Sequence, residues 1–232
     1  FINLHSEGNA GGGVLLYGDV QWNKFFGPKC WWNTNYGIKL EADAGGKYPI
    51  LNQFKGLDCY GNVGHGIHVA EGEHNVFEGV LKENHNHGLE LEAGRYNTFK
   101  LHAYDNSYDN PNTYFGIALG SNAHDNYILA VSRSPSGLHK YAIGIGAGAS
   151  RNKIRGIFLD GQTANVLDDG TDTDWGIYEL VLQFIGAGET QTGNAGTTYG
   201  LWGGTDQFLK IDGRQVWKAY FRARWNLSLI HI

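Results

Sequence analysis

The sequence has no methionine, two cysteines, four prolines and only 18% charged residues. The net charge of −5 argues against nucleic acid as the main partner. No apolar run approaches the length of a transmembrane helix. Glycine, in contrast, provides 35 of the 232 residues, about twice its average usage. Together with 13% aromatic residues, this composition is typical of many short strands joined by tight turns, and the length allows one elongated domain with a sizeable core.

Two short motifs recur along the chain. In the first, an aromatic residue or histidine precedes a small and an aliphatic residue, at Tyr36-Gly37-Ile38, His65-Gly66-Ile67, His87-Gly88-Leu89, Phe115-Gly116-Ile117, Tyr141-Ala142-Ile143, Trp175-Gly176-Ile177 and Tyr199-Gly200-Leu201. The second is Asn-x-Phe or Asn-x-Ile, beginning at Asn23, Asn52, Asn75, Asn97, Asn126 and Asn152, with a late variant at Asp206. The Asn motifs recur every 22 to 29 residues, and such a period indicates an array of stacked repeats.

Residues 87–114 show how one repeat folds. Residues 89–92 alternate apolar and acidic side chains, which predicts a strand with one buried face. A second strand begins at Asn97, and the Asn- and Asp-rich residues 104–114 predict a loop. Such repeats leave no room for helices, so parallel pairing between repeats must bury the apolar faces, and parallel crossovers are right-handed. We therefore predict an all-β, right-handed, single-stranded parallel β-helix, a solenoid whose turns, here called coils, have about 22–29 residues.

The repeat predicts two columns of aliphatic side chains inside the solenoid. The first column holds Ile38, Ile67, Leu89, Ile117, Ile143, Ile177 and Leu201, and the second holds Leu40, Val69, Leu91, Leu119 and Ile145. The motif asparagines are expected at turns, where stacked amides form a ladder between coils. The histidines of the first motif, His65 and His87, are expected to stack. Residues 160–174 break the period and predict an inserted loop.

The two cysteines occupy the same position in successive coils, because Cys30 and Cys59 each lie seven residues after the Asn of their motif. Stacked coils are about 4.8 Å apart, which is within the Cα range of a disulfide. A disulfide in a secreted protein and two stacked thiols in the core are both compatible with this spacing.

We expect the chain to be truncated at both ends. It begins at Phe1, and residues 1–9 resemble the second half of a coil. Residues 227–232 resemble the translation of a sequencing adaptor, and we exclude them from the fold. The predicted β-helix fragment spans 1–226, and its repeat is clearest over 13–211.

The Gly-Ile/Leu openings and Asn-x-Phe/Ile turns over about 13–211 resemble the parallel β-helix repeats of the pectate-lyase-like superfamily. This superfamily includes polysaccharide lyases, glycoside hydrolases, epimerases, and phage tailspike and tail-fibre proteins. The resemblance implies a secreted or virion-borne protein that binds a polysaccharide or cell-surface glycan, and a homotrimer if the chain comes from a phage. It does not define an activity, because one fold hosts many functions. Gly64-His65-Gly66 also resembles a segment of polygalacturonase-type hydrolases, but the other motifs of those enzymes are not found in their expected order.

The outward positions of the first strand in successive coils place polar residues side by side. His68 is expected beside Glu90, with Lys39 and Glu41 one coil further. Glu90 and Glu92 are two residues apart on one face, about 6.5–7 Å between Cα atoms. They could act as acid and base in glycoside hydrolysis, with His68 tuning them and Lys39 and Glu41 binding substrate. The alternative is an exposed polar strand face whose charges serve only solubility.

Aromatic side chains provide a second group of candidate substrate-binding residues. Sugar rings pack on aromatic faces, so Tyr104, Tyr108 and Trp175 join this group, although stacking within the fold would explain them equally well.

The sequence predicts no metal site and no cofactor with any strength. No histidine spacing indicates zinc. The loop residues Asp105, Asp109 and Asn110, together with Asp160, offer oxygens that could hold Ca²⁺, but loops are rich in such residues without a metal.

Two classes of function remain open. The first is an extracellular β-helix that binds and cleaves a polysaccharide as a glycoside hydrolase or lyase, either bacterial and secreted or phage tailspike-like. The second is a non-enzymatic adhesin or a structural protein of a tail fibre or cell surface. Irregular coils with inserted loops favour a binding face, and the lack of a catalytic signature favours the second class.

Overall fold

The structure is a computed structural model that describes residues 1–175 and four short strands at 191–193, 197–199, 209–211 and 214–216. The chain divides into two units, Phe1–Val181 and Leu182–Ile232, and each is described by itself. Several predictions lie outside the described residues, namely Ile177 and Leu201 of the first column, the Asp206 motif and residues 227–232. Within the described part, no helix has the length and apolarity needed to cross a membrane.

Parallel strands in two sheets build the first unit. Their bounds are β1 His5–Glu7, β2 Val14–Tyr17, β3 Lys24–Phe26, β4 Lys29–Trp31, β5 Ile38–Glu41, β6 Gln53–Tyr60, β7 Ile67–Val69, β8 Val76–Lys82, β9 Leu89–Arg95, β10 Thr98–Tyr104, β11 Ile117–His124, β12 Tyr127–Arg133, β13 Tyr141–Ile145, β14 Lys153–Leu159, β15 Ala164–Asp168 and β16 Asp174–Trp175. The nine-stranded sheet has the order β1-β4-β6-β8-β10-β12-β14-β16, with β3 also paired to β6. The seven-stranded sheet has the order β15-β13-β11-β9-β7-β5-β2. This is a parallel β-solenoid of about 6 turns without a described helix, which confirms the predicted fold class.

The register of the seven-stranded sheet matches the predicted aliphatic columns. Ile38 lies opposite Ile67, Ile67 opposite Leu89, and the first column continues through Ile117 to Ile143. All five side chains are fully buried. Burial of one such side chain stabilises the fold by about 1.5–3 kcal/mol, so a shift of register by one residue, which would expose the column, is strongly disfavoured.

Residues 160–174 are part of the solenoid, so the prediction of an inserted loop was wrong. Strand β15 lies within them and pairs in parallel with β13, which places Val166 opposite Ile143. This coil lacks the aromatic-Gly opening of the first motif, but residues 164–168 still supply an apolar side chain at the column position. Val166, rather than Ile177, therefore follows Ile143 in the first column.

The Asn-x-Phe motif fills the core beneath the nine-stranded sheet. Phe25, Phe54, Phe77 and Phe99 stack with successive ring centroids 4.6, 5.0 and 5.1 Å apart and ring planes within 5°. The isoleucines of the next two motifs continue this column in register. The apolar residue of each motif is thus a packing residue that each coil contributes to a continuous core.

The motif asparagines form the predicted ladder. From Asn52 onward, each side-chain Oδ1 accepts hydrogen bonds from the backbone N–H and the amide Nδ2 of the asparagine in the preceding coil. At Asn75, for example, Oδ1 accepts from Asn52 N at 2.9 Å and from Asn52 Nδ2 at 3.1 Å. The residue before each ladder asparagine has a positive φ between 54° and 61°. The side chain therefore bonds a turn whose backbone would otherwise be buried without partners.

A second asparagine ladder, which was not predicted, lies just after strands β4, β6, β8 and β10 of the nine-stranded sheet, at the strand ends opposite the first ladder. It holds Asn33, Asn62, Asn84 and Asn106, all of them fully buried. It ends at His139, whose Nε2 accepts a hydrogen bond from Asn106 N at 2.8 Å.

The two cysteines are free, buried thiols that lie opposite each other in register. Burial, followed by the hydrogen bond with Cys30, raises the pKa of Cys59 well above its ordinary value. The backbone packs closely here, because a Cβ added at Gly37 would lie 2.9 Å from Cys59 Sγ. Of the two alternatives, the structure has the stacked thiols.

The second unit is described only through two hairpins. β17 Gln191–Gly193 pairs antiparallel with β18 Thr197–Tyr199, and β19 Leu209–Ile211 pairs antiparallel with β20 Arg214–Val216. These pairings differ from the parallel coils that the repeat predicts up to residue 211.

Candidate functional site

A group of histidines and glutamates lies on the outward face of the seven-stranded sheet. In β9 the alternation buries Leu89 and Leu91 and turns Glu90 and Glu92 outward. The parallel register with β7 places His68 beside Glu90. We call His65, His68, Glu90 and Glu92 the His–Glu cluster.

Short distances connect the members of the His–Glu cluster. Glu90 Oε2 lies 3.0 Å from His65 Nε2 and 3.6 Å from His68 Nε2. Glu92 Oε1 lies 3.2 Å from His68 Nε2. One ligand atom each of His68, Glu90 and Glu92 lies within 4.8 Å of the others. The structure thus brings together the three residues that the sequence suggested as catalytic.

His65 is a member of the cluster that sequence reasoning assigned only to stacking. Its ring does stack on His87, with centroids 5.4 Å apart and planes 13° apart. His87 is fixed in turn, because its Nδ1 accepts a hydrogen bond from Phe115 N at 2.9 Å. The second role of His65 is its contact with Glu90. The one sequence feature that could have indicated it is the place of His65, three residues before His68 in the coil that precedes Glu90.

Burial dominates the ionisation of the cluster. Burial, and then the charge of Glu92, raises the pKa of Glu90 to about 7. Burial, followed by the neighbouring His87, His68 and Lys39, lowers the pKa of His65 to about 3. Burial also lowers the pKa of His68, against an opposing contribution from Glu92. Near neutral pH both imidazoles are therefore uncharged, while Glu90 can hold or release a proton.

Lys39 and Glu41 extend the cluster by one coil, as predicted. Lys39 lies opposite His68 in the register, and its Nζ is 3.1 Å from Glu41 Oε2. Lys39 Nζ also lies 5.9 Å from the centroid of the Tyr36 ring. The charge of Lys39 is thus compensated within its own strand, and both partners remain on the face that carries Glu90.

Tyr104, Tyr108 and Trp175 do not join the His–Glu cluster. Tyr104 ends β10 in the nine-stranded sheet, and the half-exposed Tyr108 has its ring 6.1 Å from that of His85. Trp175 is anchored in its own coil, because its Nε1 donates a hydrogen bond to Asp168 Oδ2 at 2.6 Å. These aromatic residues can contribute only to a separate binding surface.

The calcium candidate is not assembled. The Asp105 carboxylate is buried and accepts hydrogen bonds from Ser134 Oγ at 2.7 Å and from Ser136 Oγ at 2.8 Å. Asp109 pairs with His85, and Asp160 pairs with Arg133. The carboxylates of the three aspartates that the sequence grouped for Ca²⁺ are therefore each paired with another side chain.

The His–Glu cluster offers two kinds of chemistry. Two carboxylates at short separation, one of them able to exchange a proton near neutral pH, suit acid–base or nucleophilic work. Among the described residues it is also the only group of three such side chains close enough to share a metal ion. His68 Nε2 is buried without a partner in hydrogen-bond geometry, even though Glu92 Oε1 is nearby.

No protein-family model, curated protein or solved structure matches the chain. The parallel β-solenoid defines the class of fold.

Proposed function

We propose that this protein is an extracellular polysaccharide-binding β-helix, of the pectate-lyase-like type, that hydrolyses its glycan at Glu90 and Glu92. The observation that carries the proposal is the pair of outward carboxylates, whose oxygens lie within 4.8 Å of each other. Retaining glycosidases hold their two carboxyl groups about 5–5.5 Å apart, whereas inverting enzymes need a wider gap for a water molecule. The short separation therefore favours the retaining mechanism.

The surroundings of the two carboxylates suggest their roles. Glu90 has a side chain only 24% exposed and lies against His65, whereas the Glu92 side chain is 53% exposed. The more buried Glu90 is the acid: it gives a proton to the glycosidic oxygen while Glu92 attacks the anomeric carbon. Glu90 then takes a proton from water, and that water releases the sugar from Glu92. His68 contacts both carboxylates and is a positioning residue in this scheme.

Substrate binding next to this pair would involve Lys39, Glu41 and Tyr36. The Lys39–Glu41 ion pair offers donors and acceptors for sugar hydroxyls, and the Tyr36 ring offers an apolar face with a polar edge. Both lie one coil from His68 and two coils from Glu90, at a spacing of about 4.8 Å per coil. A glycan chain lying along the solenoid axis would contact both.

The test is sugar release from a polysaccharide panel by the natural chain, Glu90→Gln and Glu92→Gln. Loss of the acid or of the nucleophile should lower turnover by at least about 100-fold. Glu78→Gln, an exposed glutamate on β8 of the other sheet, is the matched control. An activated aryl glycoside should partly restore Glu90→Gln, since its leaving group needs little protonation, but should not restore Glu92→Gln. Unchanged turnover in Glu90→Gln would refute the assignment.

A second candidate is glycan binding without cleavage, and one surface favours it. Trp31, Trp32 and Tyr60 form edge contacts with ring centroids 5.9 and 5.3 Å apart, and Lys82 Nζ lies 5.5 Å from the centre of the Tyr60 ring. Trp32 is 49% exposed. If binding is the function, Trp32→Ala should weaken retention on a polysaccharide affinity gel, Glu90→Gln should not, and the natural chain should release no sugar.

A further inference from the structure

We propose that His68, Glu90 and Glu92 form a binding site for one Zn²⁺ ion on the outward face of the seven-stranded sheet. They supply one imidazole nitrogen and two carboxylate oxygens, donor types that zinc accepts in proteins. The inference uses side chains of the His–Glu cluster but does not depend on hydrolysis, because metal binding is measured without any sugar.

The distances between the donor atoms suit a small tetrahedral ion. Zinc bonds to nitrogen and oxygen are about 2.0–2.2 Å long, so the corners of the tetrahedron lie about 3.3–3.6 Å apart. His68 Nε2 lies 3.2 Å from Glu92 Oε1 and 3.6 Å from Glu90 Oε2. The two carboxylates are within 4.8 Å, and the half-exposed Glu92 side chain can close this third edge by rotation. Three protein donors leave a fourth corner for water.

The donor atoms are available and their charge is appropriate. His68 Nε2 is buried and makes no hydrogen bond of good geometry, so its lone pair can bind the metal once Glu90 is ionised. Two carboxylates balance a divalent cation. Lys39, the nearest cation in the register, is paired with Glu41 at 3.1 Å, which reduces its repulsion of a bound metal.

A supporting shell is already in place around these donors. His65 Nε2 lies 3.0 Å from Glu90 Oε2, so it can hydrogen-bond a metal-binding carboxylate and fix its orientation. The His65 ring is itself held by stacking on His87. Calcium is a poorer fit, because it takes six to eight oxygen ligands and the cluster offers a nitrogen and few oxygens. Imidazole donors favour zinc among the abundant divalent ions.

Isothermal titration of ZnCl₂ into chelator-treated protein at pH 7.5 tests the proposal, with CaCl₂ as the comparison. We expect one Zn²⁺ per chain and much weaker binding of Ca²⁺. His68→Ala and Glu92→Gln should each weaken zinc binding at least tenfold, and His65→Ala should weaken it by about 10–100-fold, as loss of an outer-shell partner does. His102→Ala, an exposed histidine on β10 of the other sheet, controls for adventitious binding by surface histidines and should leave the affinity unchanged.

Far-UV circular dichroism of each variant establishes that it is folded before titration. No zinc binding by the natural chain, or equal affinity in His68→Ala, Glu92→Gln and His102→Ala, overturns the site. The hydrolysis proposal fails by a different result, unchanged sugar release in Glu90→Gln, so the two failures are distinguishable.

Discussion

Replacing Asn75 with alanine removes a central step of the asparagine ladder. The Asn75 amide Oδ1 accepts from Asn52 N and Nδ2, and its Nδ2 donates to Pro49 O at 3.0 Å and to Asn97 Oδ1 at 3.2 Å. In the variant, Pro49 O keeps a bond from Glu73 N. The Asn52 amide group keeps its bonds to two other carbonyls. The backbone N–H of Asn52, which is fully buried, loses its one partner among the described residues.

The expected loss follows from this inventory. A buried N–H without a partner costs about 1–3 kcal/mol, and the net loss of the remaining hydrogen bonds adds about 1 kcal/mol. We expect Asn75→Ala to lower the free energy of unfolding by about 3 kcal/mol. Asn23→Ala is the matched control, because no described group donates to its Oδ1 and Asn52 Oδ1 still accepts from Asn23 N at 3.0 Å. Its loss should stay under about 1 kcal/mol.

Urea unfolding followed by far-UV circular dichroism measures both variants. Amide hydrogen exchange adds a local readout, since protection of the Asn52 amide should fall in Asn75→Ala and persist in Asn23→Ala. Equal losses of stability in the two variants would show that the ladder bonds do not carry the stability assigned to them.

Three further predictions concern the core, one histidine and one glycine. Phe77→Ala removes a fully buried ring stacked on both sides and should lower the free energy of unfolding in urea by about 3–5 kcal/mol. The control is Leu129→Ala, at a position 39% exposed on β12 of the same sheet, which should lower it by less than about 1 kcal/mol. Similar losses in the two variants would contradict the assigned core. Burial lowers the pKa of His139 from 6.5 to about 4, with Asp105 opposing and His87 adding to the shift. The folded state therefore favours the neutral ring. The contribution of His139 to the free energy of unfolding is complete above about pH 6.5, and about 3 kcal/mol of it is lost as the pH falls to 4. His139→Asn should flatten that dependence in urea titrations at pH 7.5 and 4.5, and an unchanged slope would exclude His139 as its source. Gly79 has a φ of 156°, and an added Cβ would lie 2.0 Å from Leu57 O, so Gly79→Ala should lower the midpoint of thermal unfolding sharply. Gly11→Ala should not, because Gly11 has open space around it. A matching midpoint in both variants would argue against close contact at Gly79.

The period of the Asn-x-Phe motifs was sufficient to predict the parallel solenoid, because the motif combines a turn residue with a core residue. The second ladder shows the same period, nine or ten residues after the first, at Asn33, Asn62, Asn84 and Asn106. It was missed because the residues around those asparagines vary. Strand β15 was missed for a related reason: its coil keeps the apolar side chain that closes the core but lacks the aromatic-Gly opening used to recognise a coil.

Alternation along β9 predicted that Glu90 and Glu92 face outward, and register predicted His68 beside Glu90. His65 could not be assigned in the same way. Its position at the opening of a coil predicts packing, and the structure adds the contact of its Nε2 with Glu90 Oε2. Contacts of Trp175 and Asp105 were likewise beyond sequence pattern, since each depends on a particular polar partner, Asp168 at the end of β15 and Ser134 just after β12.

The unequal coil lengths have a consequence for how the chain can be altered. A 22-residue coil, such as 75–96, already completes both sheets, and the longer coils place additional residues at corners, for example at 42–49 and 107–114. Strand register on either side of 107–114 is unaffected, with Leu89 still opposite Ile117. These two corners are therefore sites at which a new peptide or a small domain could be grafted while every coil keeps its place in the stack.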